Sequence, residues 1–179
     1  RDAMSTRSYI CKELPNGKYK TIYCHFDGYV DHNGLFLNDI YNTEKKVDEL
    51  INLGNLSSLG LIIKPSKKKE HTFENPQRYV CVAYGRDRNE ENQEAKELTL
   101  KDMFKNYWIE YFYIFTKDKK WVYSDSWFND KKIAKVTEEE LKYTFKSLSD
   151  EINRQCSDEQ RKDLKEMVKA LESENDEEM

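Results

Sequence analysis

Residues 8–14 and 18–25 are two runs rich in aromatic and β-branched side chains, separated only by Pro15, Asn16 and Gly17. Proline pre-sets φ for a turn, and asparagine and glycine tolerate positive φ, so this tripeptide can reverse the chain on the spot. The spacing predicts a β-hairpin, and whatever follows must build on its sheet. The second strand of that hairpin delivers Tyr23-Cys24-His25-Phe26-Asp27-Gly28-Tyr29 at its exit, where loops tend to carry function.

Beyond the hairpin, residues 34–41 predict a short helix with Phe36, Leu37, Ile40 and Tyr41 on one side. Thr43 caps a second helix with Val47, Leu50, Ile51 and Leu53 at the helical period and Gly54 as its stop. Residues 56–60 read as a turn and 61–63 as a short buried strand. Residues 64–76 form a polar loop bearing Lys67, Lys68 and Lys69, which reads as a solvated face more readily than as a nucleic-acid contact. Residues 78–84 are almost continuously apolar and predict the central strand, broken by Gly85. Thr99 caps a short helix through Phe104. Residues 107–115 hold six aromatics in nine positions, too β-prone for a surface helix. Lys117-Asp118-Lys119 then turns the chain into Trp121-Val122-Tyr123, a second hairpin, with Trp127 and Phe128 following.

From Thr137 the chemistry changes. Thr137-Glu138-Glu139-Glu140 is a capping box, and Leu141, Phe145, Leu148 and Ile152 form a helical stripe. Ser157-Asp158-Glu159-Gln160 opens another helix through Leu164, Met167, Val168 and Leu171, with fraying expected from Glu172 onward. Residues 137–179 carry 14 acidic and 7 basic side chains, whereas the remainder carries 20 and 23, so the tail makes the chain acidic. The expected organisation is a vector remnant and initiator Met over residues 1–4, an α+β domain over 5–136, and an acidic helical hairpin over 137–179. The expected α+β fold has an antiparallel sheet from two hairpins plus a central strand, short helices on one face, and the helical hairpin at the C-terminus.

Charged residues make up 36% of the chain, but aromatics reach 13%, which points to a packed core under a charged surface rather than to disorder. Cys11, Cys24, Cys81 and Cys156 are scattered and form no CxxC pair, which argues against a zinc site and predicts free thiols in a reducing cytoplasm. There is no apolar stretch of membrane-spanning length. Neither a Gly-rich phosphate loop nor HExxH nor GxSxG is present, so no cofactor, metal or catalytic residue is assigned.

Four segments in order form a recognisable pattern: Ser5-Thr6-Arg7-Ser8-x-Ile10, then Tyr23 to Tyr29, then Asn33-Gly34, then Leu50-Ile51-x-Leu53-Gly54-x-Leu56-Ser57-Ser58-Leu59-Gly60. This resembles a family of small uncharacterised proteins carried by bacteriophages, plasmids and prophages of Gram-positive bacteria. In that family a Trp commonly stands where this chain has Phe26, and a Pro where it has Val30. Ala83-Tyr84-x-Arg86-Asp87-Arg88 also fits. The likeness covers roughly residues 5–90 and extends less closely to about 128, leaving the acidic tail outside. It implies a mobile-element setting and no particular chemistry. A non-enzymatic accessory protein that counters a host pathway, plausibly immunity, is the expectation that follows from it.

The candidate ligand-binding set is Thr6, Arg7, His25, Asp27, Tyr29, Asn33, Arg86 and Arg88. His25 and Asp27 either brace a structural corner at Gly28 or wall a pocket; as acid–base groups with Cys24 as nucleophile they would make a small enzyme acting on a nucleotide or peptide. Ser5, if it were the mature N-terminus, would invite comparison with N-terminal-nucleophile hydrolases. Arg86 and Arg88, two apart on a strand, would project from one face as phosphate ligands, with salt bridges to neighbouring acids as the alternative. The partners expected are a host protein or a small nucleotide ligand. A nucleic-acid-binding module is the weaker alternative, because a stacking face would want net positive charge. No membrane partner is expected, and the C-terminal helices offer a route to a homodimer or higher oligomer.

Overall fold

The computed structural model describes residues 5–125 and 128–177, so the expectations for residues 1–4, for Trp127 and for the last two positions lie outside the described residues. The first hairpin forms as the turn chemistry dictates: β1 (Ser8–Glu13) and β2 (Tyr19–Cys24) pair antiparallel, with Ile10 opposite Ile22. Gly17 takes φ +82°, and the Asn16 side chain accepts the Lys18 N–H at 2.9 Å. The second hairpin pairs β6 (Tyr111–Phe115) with β7 (Trp121–Ser124).

The two hairpins join through β1 and β6, which run parallel with Ser8 beside Tyr111. The sheet is therefore mixed rather than wholly antiparallel. Its order is β4-β3-β2-β1-β6-β7-β8, completed by β3 (Leu56–Ser58), β4 (Val82–Ala83) and β8 (Lys146–Ser147), with β5 (Lys96–Leu98) also pairing to β2. Alternation along the strands makes two cores. One face turns Ile10, Ile22, Cys24, Tyr113, Phe115, Trp121 and Tyr123 toward α1 (Leu35–Asp39), α2 (Glu44–Asn52), α7 (Leu148–Gln155) and α8 (Asp158–Glu177). The other turns Cys11, Tyr19, Phe112 and Ile114 toward α4 (Leu100–Lys105), α5 (Asp130–Ile133) and α6 (Glu138–Lys142). The result is the mixed α+β fold expected, with helices on the larger core face and a second, smaller helical cover opposite.

The caps appear where the sequence puts them. Thr43 accepts the Lys46 N–H, Gly54 closes α2 at φ +84°, and Thr99 with Asp102 and Thr137 with Glu140 form reciprocal capping boxes.

Further expectations need correction. The 78–84 run is buried from Val80 to Ala83, but only Val82 and Ala83 form a strand, paired with β3 at the sheet's edge. Continuous apolar character here reflects cover on both sides, not a central position. Leu56–Ser58 is strand rather than turn, and residues 61–63 contribute only an isolated Ile62–Val80 bridge. The stripe from Leu141 to Ile152 is not one helix. Lys146–Ser147 leaves the helix to pair with β7, sending Leu141 and Phe145 to the smaller core and Leu148 and Ile152 to the larger.

The C-terminal pair α7 and α8 packs on this chain's own body. Val168 is buried, Leu164 and Met167 pack on the larger core, and Arg161 grips Asp39 through both carboxylate oxygens at 2.8 and 3.0 Å. The helix persists through Glu177 rather than fraying from Glu172. No helix among the described residues is long and apolar enough to cross a membrane.

Candidate functional site

The four motif segments converge on one corner of the sheet. As β2 ends, His25 and Phe26 donate their N–H groups to Leu56 and Ser57 carbonyls of β3, both at 3.0 Å. Gly28 then donates to the Thr6 carbonyl at 2.8 Å. A Cβ at position 28 would stand 2.7 Å from that same oxygen, so only glycine lets the loop lie against the strand entry. Tyr113, buried in the larger core, donates its hydroxyl to the Gly28 carbonyl at 2.6 Å. Asp27 takes φ +57°, a left-handed conformation that aspartate tolerates better than most residues. The chain then turns through a single π-helical stretch, Val30–Gly34, into α1.

Thr6 and Asn33 lie inside this corner. Thr6 is 1% exposed and Asn33 fully buried. The Asn33 amide reaches the Phe26 carbonyl at 3.2 Å and the Ser8 hydroxyl at 3.4 Å, while its oxygen lies 3.0 Å from His32 Nδ1. Both residues hold the loop together. Ser5 is fully buried as well. Asp27 sits at the surface with His32 at 4.0 Å, and Tyr29, 45% exposed, meets Tyr111 edge-on.

Cys24 points into the core, opposite to its neighbour, as strand alternation requires. Burial pushes its thiol up to about 12, against smaller opposing effects from the Asn33 side chain and the Phe26 backbone. A thiol in that state supplies no nucleophile at neutral pH. His25 instead binds Tyr23, whose hydroxyl lies 2.6 Å from Nδ1. Burial raises the Tyr23 phenol to about 12, and the charge and hydrogen-bonding of the neighbouring Arg7 guanidinium oppose that rise. A guanidinium only donates, so the Tyr23 proton is directed to His25 Nδ1. Arg7, Tyr23 and His25 thus form a polarised chain.

Arg7 also opens onto a second feature. Its guanidinium lies 6.0 Å from the Trp108 ring, and Arg7, Tyr23, Asn106, Trp108 and Ile109 line a hollow of about 500 Å³. Tyr107 and Trp108 stack at 5.5 Å and are 54% and 56% exposed. The aromatic run is therefore divided: Tyr111–Phe115 is strand and mostly core, whereas Tyr107 and Trp108 sit outside it. The sequence signal that could have separated them is Asn106, whose side-chain Oδ1 accepts the Trp108 N–H at 3.2 Å and holds the turn.

Arg86 and Arg88 do not stand at a strand end. They lie on α3 (Tyr84–Arg88), a single helical turn. Arg86 donates to the Ile63 carbonyl at 2.6 Å, the Cys81 carbonyl at 2.7 Å and both Asp87 oxygens. Asp87 in turn receives the Ala83 N–H at 2.8 Å and lies 3.2 Å from His71 Nε2. Because His71 Nδ1 accepts the Gln77 N–H, Nε2 is the donor to Asp87. The lysine loop is pinned to the sheet edge by this cluster. Arg88 stacks over Phe73 and Tyr84 and pairs with Glu90, the salt-bridge alternative. A cleft of about 780 Å³ between α2 and the end of α8 is lined by none of the eight candidates. Among the described residues no three His, Cys, Asp or Glu side chains are placed to hold a metal ion.

No family model, curated protein or solved structure matches the chain, so the N-terminal likeness stands on its motifs alone.

Proposed function

We propose that this is a non-enzymatic accessory protein that acts by binding a host protein, through the surface formed by Arg7, Tyr23, His25, Tyr107 and Trp108. The observation that carries this reading is the stacked, half-exposed Tyr107–Trp108 pair with Arg7 beside it. Tryptophan, tyrosine and arginine are the residues that dominate binding energy at protein interfaces, and exposing two large aromatics side by side has no folding benefit. The buried Cys24 thiol weighs against a Cys–His enzyme, and the internal engagement of Arg86 and Arg88 weighs against a nucleotide pocket built from them with His25. The motif likeness supplies the setting, a mobile element acting on a Gram-positive host.

The test compares immobilised wild type with Trp108→Ala in a Gram-positive lysate. A host protein retained by wild type and lost by Trp108→Ala is expected. Equal retention by both proteins would remove this surface from the function, and turnover of a nucleotide or peptide abolished by His25→Ala would replace binding with catalysis.

A further inference from the structure

Resting on that binding reading, the chemistry of the Arg7 hollow narrows what the partner must present. We propose that the hollow receives a single carboxylate side chain of the partner protein, carried next to an apolar residue that packs on Trp108.

The acceptors around the hollow are already engaged. Asn106 uses its oxygen for the Trp108 N–H and its amide for the Tyr9 hydroxyl at 3.1 Å. The Tyr23 hydroxyl is engaged with His25 Nδ1 at 2.6 Å, with the Arg7 guanidinium beside it. What remains on offer is the rest of the guanidinium, which has five N–H groups and spends only part of them on one phenol oxygen. Among the described residues no carboxylate forms a salt bridge with Arg7, whereas Arg86, Arg88 and Arg161 each pair with one. The hollow is thus a donor site, and its occupant is an anion.

Among the described residues Arg7 is the one charged side chain lining it, which favours a carboxylate over a phosphate. A planar fork matches one carboxylate through two parallel hydrogen bonds, whereas a phosphate dianion is better served by several cations. Next to the fork, Trp108 and Tyr107 present stacked faces and Ile109, 1% exposed, closes the floor. An apolar neighbour of the acidic residue would cover these rings and dry the ion pair, strengthening it.

The full chain is titrated with acetyl-Gly-Phe-Asp-Gly-amide, with its Asn counterpart and with AMP, following the Trp108 indole N–H by proton–nitrogen correlation NMR. The Asp peptide is expected to bind about tenfold more tightly than the Asn peptide, as one charged hydrogen-bonded pair requires. Arg7→Gln is expected to erase that preference while keeping the dispersion of a folded protein. Equal affinities for the two peptides, no shift with either, or tighter binding of AMP than of the Asp peptide overturns the carboxylate assignment. If lysate retention still depends on Trp108 in that event, the binding surface survives and only its ligand chemistry falls; if retention is independent of Trp108, both fall.

Discussion

Replacing Arg86 with methionine distinguishes a structural clamp from a ligand site. In the folded chain Arg86 is 28% exposed and Asp87 only 4%, and four hydrogen bonds run from the guanidinium to Asp87 and to the Ile63 and Cys81 carbonyls. Breaking a buried ion pair from one side costs about 3–5 kcal/mol, because the remaining charge stays desolvated. Asp87 would keep the Ala83 N–H and His71, and water can approach from the Arg86 side, which places the loss near ~3 kcal/mol. For a chain of this size that corresponds to a fall in melting temperature of about 6–12 °C, read by circular dichroism. Arg86→Met combined with Asp87→Asn should cost less than the two single changes added together, by about 1–3 kcal/mol, because they disable one network. A shift below about 2 °C for Arg86→Met would refute the clamp and return Arg86 to the pool of ligand-binding residues.

The same cluster sets an acid limit. Burial alone would raise Asp87, but the Arg86 hydrogen bonds, the Ala83 N–H, the Arg86 charge and His71 outweigh it and lower the carboxyl from 3.8. A carboxylate lowered in the folded state contributes stability above its unfolded value and loses it as pH falls through the folded value. Wild type should therefore show a loss of stability below about pH 4 that Asp87→Asn lacks, measured by urea midpoints across that range. Arg161→Met strands Asp39, whose side chain is 2% exposed, and should cost about 3 kcal/mol and loosen α8, seen as faster amide exchange through Val168. Cys11 and Cys24, fully buried and both pushed up to about 12 chiefly by burial, should resist iodoacetamide in the native protein and react on unfolding in urea; rapid native labelling of Cys24 would reopen the nucleophile reading.

Local chemistry was legible and long-range pairing was not. Pro15-Asn16-Gly17, Thr43, Thr99 and Thr137 act within a few residues of themselves, so the hairpin and the helix starts follow directly from sequence. The parallel pairing of Ser8 with Tyr111 joins strands about a hundred positions apart, and nothing in either run encodes it. Apolar spacing fails for a related reason at Leu141, Phe145, Leu148 and Ile152. A helical period shows that all four pack inward, but two serve one face of the sheet and two the other. At the site, the motif cluster located the corner correctly, yet it grouped residues by nearness in sequence. Asn33 and Thr6 turned inward to hold the loop, whereas Trp108, distant in the chain, came to stand beside Arg7.

The residues of that corner divide by what folding requires of them. Gly28, Thr6 and Asn33 make contacts that the loop cannot do without. The Arg7–Tyr23–His25 chain has no such necessity, since a surface corner could leave those positions to water. What the chain does is fix the guanidinium in place before any partner arrives, and Tyr23→Phe separates that effect from packing. The ring remains, so stability should fall by only about 1 kcal/mol, the worth of one hydrogen bond. Arg7 would then have to be ordered on binding, at about 0.5–1.5 kcal/mol for a side chain of its freedom. Affinity for the retained partner, or for the Asp peptide, should therefore weaken by about two- to tenfold, with the loss appearing in Kd while the melting temperature barely moves. Unchanged affinity in Tyr23→Phe would mean that the hydroxyl serves the fold alone, and that the polarised chain is one more brace in the corner.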